Sequence, residues 1–311
     1  LMILCAGLLL TDMVPEALAS AITWDGARVV LFWHPNATGC MLMLAIGFSL
    51  YFLTQAEKKA EKWILAILMV LQFCVLSLTN SRTAILLTCA MIGGAAFFMI
   101  WKKGGKQFLA GAAAALAVVI VLFCAYNVLF DVHTEVQLNK MIRQEQMQAN
   151  DAASLEEDGR KLIVNQETGE VSIYGQSGQG ELLQDIGHLN GRTTIWKSAL
   201  TAVLDVPSTR IWGTEYVSTE ISSRNPFWVA HAHNAWLQTM VLTGIPGFLL
   251  AMASTVIAVW NIWILIWRPH VETGKKVVAV MVICMLAAGI LEPYLFAVDM
   301  KVSFIHFLFF L

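Results

Sequence analysis

Three short stretches of this chain have residue types and spacings that could do chemistry. The first is Leu78-Thr-Asn-Ser-Arg82-Thr-Ala84, where Arg82 stands at the junction of two apolar runs. A guanidinium at such a depth is costly unless it is paired or faces a polar cavity. It either snorkels to mark the membrane interface or binds an anion there, with Thr79, Asn80, Ser81 and Thr83 as further hydrogen-bonding groups. The second is Gly191-Arg192-Thr-Thr-Ile-Trp196. Here Gly191 permits close backbone approach, and Arg192 enters the first turn of an expected helix. A helix N-terminus beside a guanidinium is a ready phosphate site, although an exposed arginine at a helix start is commonplace. The third is His231-Ala-His233-Asn234, followed after nine residues by Gly244-Ile-Pro-Gly247. The two histidines could be a metal pair, but no carboxylate or cysteine adjoins them in sequence to complete a set. They could be structural, or His233 could accept a proton as a neutral imidazole.

What must position these residues is a membrane bundle. The chain is 58% hydrophobic and only 14% charged, with a mean hydropathy of +0.66. The apolar residues collect in uncharged runs of about 17–23 residues, enough to cross roughly 30 Å of hydrocarbon. Full spans are predicted at about 38–54, 63–79, 83–101, 108–130, 246–267 and 277–297, with a short apolar stretch at 235–244 and partial spans at about 1–20 and from about 301. The expected fold is therefore an all-α polytopic membrane protein, a helical bundle of about eight visible spans with both termini truncated. The six cysteines lie in or beside apolar runs and read as small buried hydrophobes. The net charge of −2 points to no nucleic-acid partner.

Lys58, Lys59 and Lys62, then Lys102, Lys103 and Lys106, then Arg268, Lys275 and Lys276 fill three short connections on one side. By the positive-inside rule that side is cytoplasmic. The long polar loop, 131–233, must then lie outside, between N-terminal helices at 1–130 and C-terminal helices at 234–311. Its part at 134–186 reads as a variable insert that includes a short hairpin around Asn165-Gln-Glu-Thr-Gly169. Its part at 188–233 contains Ile195, Trp196, Ala199, Leu200, Val203 and Leu204 at helical spacing, an amphipathic helix expected to lie against the membrane face.

The string His233-Asn234…Gly244…Gly247 resembles the signature of bacterial O-antigen ligases and the related O-antigen polymerases. So does Arg82-Thr-Ala-Ile-Leu86 at the outer end of a span, and so do Gly191-Arg192…Trp196 and His34-Pro-Asn36. The order of these motifs, with the long loop between the Arg82 and His233 stretches, is more specific than any one of them. Two features depart from the family pattern: its Pro…Gly-x-Gly stretch is here Pro207…Gly213-Thr-Glu, and 134–186 has no counterpart.

The resemblance implies a membrane glycosyltransferase of the cytoplasmic (inner) membrane, acting on its extracytoplasmic face without a metal or other cofactor. Its partners would be a polyprenyl-diphosphate-linked glycan as donor, and a hydroxyl of a lipid, glycan or protein as acceptor. On this reading Arg82 and Arg192 stabilise the diphosphate and His233 is the base. Asn234, Gly191, Arg210 and His231 are further substrate-binding candidates. A polymerase or protein O-glycosyltransferase is the alternative within the family. A transporter, for which Glu292-Pro293 is the best feature unless Glu292 is a hydrogen-bonded cap at a proline-disturbed helix end, and a non-catalytic scaffold are the alternatives outside it.

Overall fold

Each of the six full apolar runs forms a helix, because within hydrocarbon the backbone must satisfy its own hydrogen bonds; the last of them, expected to 297, stops at Leu291. The structure, a computed structural model, describes residues 23–25, 28–30, 35–101, 105–151, 162–164, 171–173, 191–225, 228–268 and 271–293. In chain order these contain β1 (Thr23–Asp25), β2 (Arg28–Val30), α1 (Pro35–Gln55), α2 (Lys59–Leu78), α3 (Arg82–Ile100) and α4 (Gly105–Asp151). There follow β3 (Leu162–Val164), β4 (Val171–Ile173), α5 (Arg192–Leu204), α6 (Pro207–Trp212), α7 (Val217–Ser222), α8 (Ala235–Trp267) and α9 (Thr273–Leu291). The strands form only two small antiparallel pairs, β1–β2 and the expected hairpin β3–β4.

Helices α1–α4, α8 and α9 are long and apolar enough to cross a membrane, six spans among the described residues. The chain is a multi-pass, all-α membrane protein. The expected total of about eight included two partial spans, at 1–20 and from about 301, that lie outside the described residues.

The bundle has two distinct ends. At one, Gly274 of α9 packs against Tyr51, Thr54 and Gln55 of α1, and the Lys276 ammonium lies 5.4 Å from the ring centres of Phe98 and Trp101. Trp101 meets Trp267 of α8 there at 5.9 Å. This is the end whose connections carry the lysines of the charge pattern. The other end gathers the starts of α1, α3 and α8 with the finish of α9, and it is where all three chemistry-bearing stretches lie.

Between the ends, Met43, Ile46, Leu76, Ile85, Met91 and Met285 are almost wholly buried. The outward side chains of α2, α4 and α8 are apolar, among them Trp63, Leu109, Val121, Leu250 and Trp260, as a lipid-facing surface requires. Of the described cysteines, Cys40, Cys89 and Cys284 are buried as expected, Cys74 is partly so, and Cys124 is exposed on α4. An exposed thiol on an apolar lipid-facing helix differs from the buried reading only in having lipid as its neighbour.

Helix α4 has 47 residues. At 1.5 Å per residue it measures about 70 Å, more than twice the hydrocarbon thickness. It crosses the boundary drawn at 130 without a break, so the start of the polar insert continues a membrane helix.

Candidate functional site

The site-forming part of the long loop is a small cap with its own core. Helix α5 begins at Gly191, whose φ of 72° is left-handed and which gives no side-chain cap to the helix. Among the described residues, its first-turn N–H groups therefore have neither an intrahelical nor an N-cap side-chain partner. Ile195, Ala199 and Val203 point from α5 into a cluster with Val217 and Ile221 of α7, Val229, Ala232, and Met240 and Val241 of α8. This corrects one expectation. Ile195, Ala199 and Val203 of the apolar stripe are buried against protein rather than laid on the membrane, while Leu200 and Leu204 stay exposed; α7 and the first turns of α8 supply an apolar partner that sequence spacing alone could not reveal.

The cap is joined to the bundle at α8. Asn234 opens this helix by accepting from the Leu237 N–H at 2.9 Å. Ten residues later Gly244 breaks the helical conformation, with φ 71° and ψ −172°. There α6 crosses so closely that a Cβ on Gly244 would stand 2.6 Å from the Ile211 carbonyl oxygen. Reciprocally, a Cβ on Gly213 (φ 73°) would run into the Leu242 carbonyl, and the Thr214 N–H donates to the Val241 carbonyl at 2.8 Å. The two glycines are thus the two sides of one backbone crossing. Gly213 keeps the close approach even though the residues after it, Thr214 and Glu215, depart from the family's Gly-x-Gly.

Glu292, at the end of α9, is the centre of the cluster and is 1% exposed. Its Oε1 accepts from Asn36 Nδ2 at 2.9 Å and from an Arg192 terminal nitrogen at 3.2 Å. A carboxylate so buried is destabilising unless it is paired and hydrogen-bonded, and here it is both. Asn234 Nδ2 donates to the Ile290 carbonyl at 2.9 Å, bringing the start of α8 to the same turn. One turn beyond Arg192, the Trp196 indole N–H donates to the His233 carbonyl at 3.4 Å. Arg192, His233 and Asn234 are therefore joined through direct contacts around the end of α9.

His233 has a φ of 49°, uncommon for a residue with a side chain. Its ring centre lies 4.1 Å from that of His231, and its backbone N–H approaches His231 Nδ1 at 3.4 Å. Strained backbone of this kind is over-represented at functional sites. Among the described residues no cluster of three His, Cys, Asp or Glu could hold a metal ion.

Arg82 is the first residue of α3 and is partly buried. Its neighbour Ser81 touches α1 so tightly that a Cβ on Gly39 would lie 2.5 Å from that of Ser81. Gly39 is one turn along α1 from Asn36, so Arg82 borders the same end of the bundle. Asn80, also left-handed at φ 48°, accepts from the Tyr126 hydroxyl of α4 at 2.6 Å and fixes the turn that leads into Arg82.

Arg210 lies elsewhere. It is exposed and donates to the Leu204 carbonyl at the far end of α5, where it caps that helix. Asn36 and Glu292, by contrast, were not selected as site residues from sequence. Asn36 appeared only within His34-Pro-Asn36, and Glu292 read as a transporter feature or as a hydrogen-bonded cap. The available signal was electrostatic: a carboxylate at a span end with no basic neighbour within several residues must find its cation elsewhere in the chain.

A family model described as O-antigen ligase matches residues 65–252, about three fifths of the chain. The chain belongs to the O-antigen ligase family. No curated protein and no solved structure matches it. The part shared with O-antigen ligases runs from within α2 to within α8. It includes Arg82, Arg192, His231, His233 and Asn234, but neither Asn36 nor Glu292. Membership makes this a membrane enzyme of the O-antigen ligase and polymerase type, acting on lipid-linked glycan.

Proposed function

We propose that the chain transfers a glycan from a polyprenyl-diphosphate donor to an acceptor hydroxyl on the extracytoplasmic face of the cytoplasmic membrane. The observation that carries this reading is the contact network joining Arg192 to His233 through Trp196, at the bundle end away from the basic connections. A lipid-linked donor held in the outer leaflet would present its diphosphate at that level.

In the proposed reaction the acceptor oxygen attacks the anomeric carbon and the bond from that carbon to the diphosphate oxygen breaks. The electron pair leaves on the diphosphate. On this reading Arg192 and the first turn of α5 stabilise that charge, with Arg82, at the start of α3, as the second guanidinium. Two guanidiniums aimed at a leaving group act as fixed charge that needs no reorganisation during the reaction. The hydroxyl proton passes to His233, whose imidazole is suited to accepting a proton near neutral pH. His231 packs against it, ring planes tilted by 60°, and restricts its ring. Asn234 is committed at both ends of its amide, to Leu237 and to Ile290, which favours positioning over direct sugar binding.

Replacing His233 with Gln should reduce transfer by roughly 10²–10⁴-fold, the usual contribution of a positioned base, with normal membrane insertion. The measurement is transfer from a defined lipid-diphosphate glycan to lipid and glycan acceptors by purified enzyme. Near wild-type turnover by this variant would remove His233 from the mechanism. The same assay should be insensitive to EDTA, since arginines take the part of a divalent cation. Loss of activity on chelation, restored by one added metal, would instead assign the diphosphate to a metal ion.

A further inference from the structure

We infer that Glu292 is a positioning residue that acts through Arg192: it holds the guanidinium when no donor is bound and weakens its grip on the departing diphosphate, so that product can leave. The inference rests on the donor assignment above. Its basis is the placement of the carboxylate, which a structural cap does not explain.

Glu292 is the C-terminal cap residue of α9, and its N–H closes the last helical hydrogen bond, to Ala288. The C-terminal end of a helix carries partial negative charge and favours cations, so a carboxylate there is placed against the local field. Capping does not require it either, because Asn234 Nδ2 already satisfies the Ile290 carbonyl. What the position does offer is Arg192, whose side chain is 15% exposed against 1% for Glu292. Asn36 donates to the same oxygen and so fixes the carboxylate in the orientation that meets Arg192.

A guanidinium has five N–H donors in a planar fork. The contact with Glu292 uses a terminal nitrogen and leaves others for a ligand. A diphosphate arriving there meets a cation whose charge is partly offset by a carboxylate on its other side. Without that carboxylate, two arginines and the uncapped start of α5 would hold substrate and product diphosphate alike. Binding both equally well lowers the donor KM but leaves the leaving group trapped. Glu292 and Asn36 lie outside the part matched by the family model, so this tuning comes from the flanking helices.

The experiment measures binding of farnesyl diphosphate, a short polyprenyl diphosphate, to the purified full chain in nanodiscs, with farnesol as control. Glu292→Gln keeps an oxygen that can accept from Asn36 and Arg192 but removes the charge. It should bind the diphosphate about tenfold more tightly than wild type, the size expected for removing one charge at short range in a partly shielded site. The donor KM should fall, and multiple-turnover transfer should slow more than single-turnover transfer. A merely structural role predicts equal or weaker binding, and that result overturns the inference. Should Glu292→Gln fail to insert, Asn36→Ala decides. With the Asn36 bond gone, the Glu292 oxygen is freer to bond Arg192 and diphosphate binding should weaken about threefold, whereas unchanged or tighter binding overturns the inference. If neither wild type nor variant prefers the diphosphate to farnesol, the donor assignment itself falls and takes this role with it. Diphosphate binding that Glu292→Gln leaves unstrengthened removes the counter-ion role alone.

Discussion

Arg192→Ala should lower glycan transfer by roughly 10²–10³-fold, the loss typical when one preorganised group facing a developing oxyanion is removed. It should also destabilise the protein, because the buried Glu292 would lose its ion pair with Arg192. Breaking one side of a buried pair costs about 3–5 kcal/mol, and Glu292 is 1% exposed. The two effects must be separated before the loss of turnover can be read as chemistry. Combining Arg192→Ala with Glu292→Gln removes the stranded charge, so the thermal midpoint in detergent should recover while transfer stays low. Arg192→Lys retains the charge but presents a single ammonium in place of a planar fork. It should recover only part of the rate. A double variant that transfers glycan at nearly the wild-type rate would take Arg192 out of the reaction and leave it a purely architectural partner for Glu292.

The largest expected effect on stability lies at Gly244. Its φ of 71° with ψ of −172° belongs to a region open in practice only to glycine. Any Cβ there would also press on the Ile211 carbonyl oxygen at 2.6 Å, a backbone atom that cannot swing aside as a side chain would. Gly244→Ala should therefore cost at least about 3 kcal/mol, combining strain with the displacement of α6. Unfolding in mild detergent and the amount of protein accumulated in the membrane are the measurements. Gly94→Ala is the informative control, since a Cβ on Gly94 would meet the Val280 side chain, 2.9 Å away, rather than a crossing backbone. Should Gly244→Ala unfold no more readily than Gly94→Ala, the crossing of α6 over the α8 kink is not what holds the cap down.

The spans were legible because hydrophobic run length and the placement of lysine are nearly sufficient for membrane helices. Both pieces of α8 were visible as well, since Gly244 and Pro246 interrupt the run where the helix breaks. The partner of α5 was not visible: a stripe of Ile195, Ala199 and Val203 looks the same whether it meets lipid or α7. Arg192 and His233 stood out locally, one by its place after a left-handed glycine and the other by its paired histidine. Asn36 and Glu292 could not be joined to them in advance, because their hydrogen bond spans 256 residues of sequence and depends on how α1 and α9 pack. Arg210 shows the converse. It has the same chemistry as Arg192 on paper, yet a neighbouring carbonyl at the end of α5 claims it.

The division of apolar side chains into two separate cores has a mechanical consequence. Arg192 and His233 ride on the smaller body, while Arg82, Asn36 and Glu292 belong to the larger. Their shared boundary runs through the charged cluster, where the Arg192–Glu292 pair and the bond from Asn234 to the Ile290 carbonyl cross it. Independently packed units open with lower free energy than a whole domain. Parting along this seam would draw the two arginines away from each other, so that a bulky lipid-linked sugar could enter sideways from the bilayer and meet both charges only after the seam has shut again.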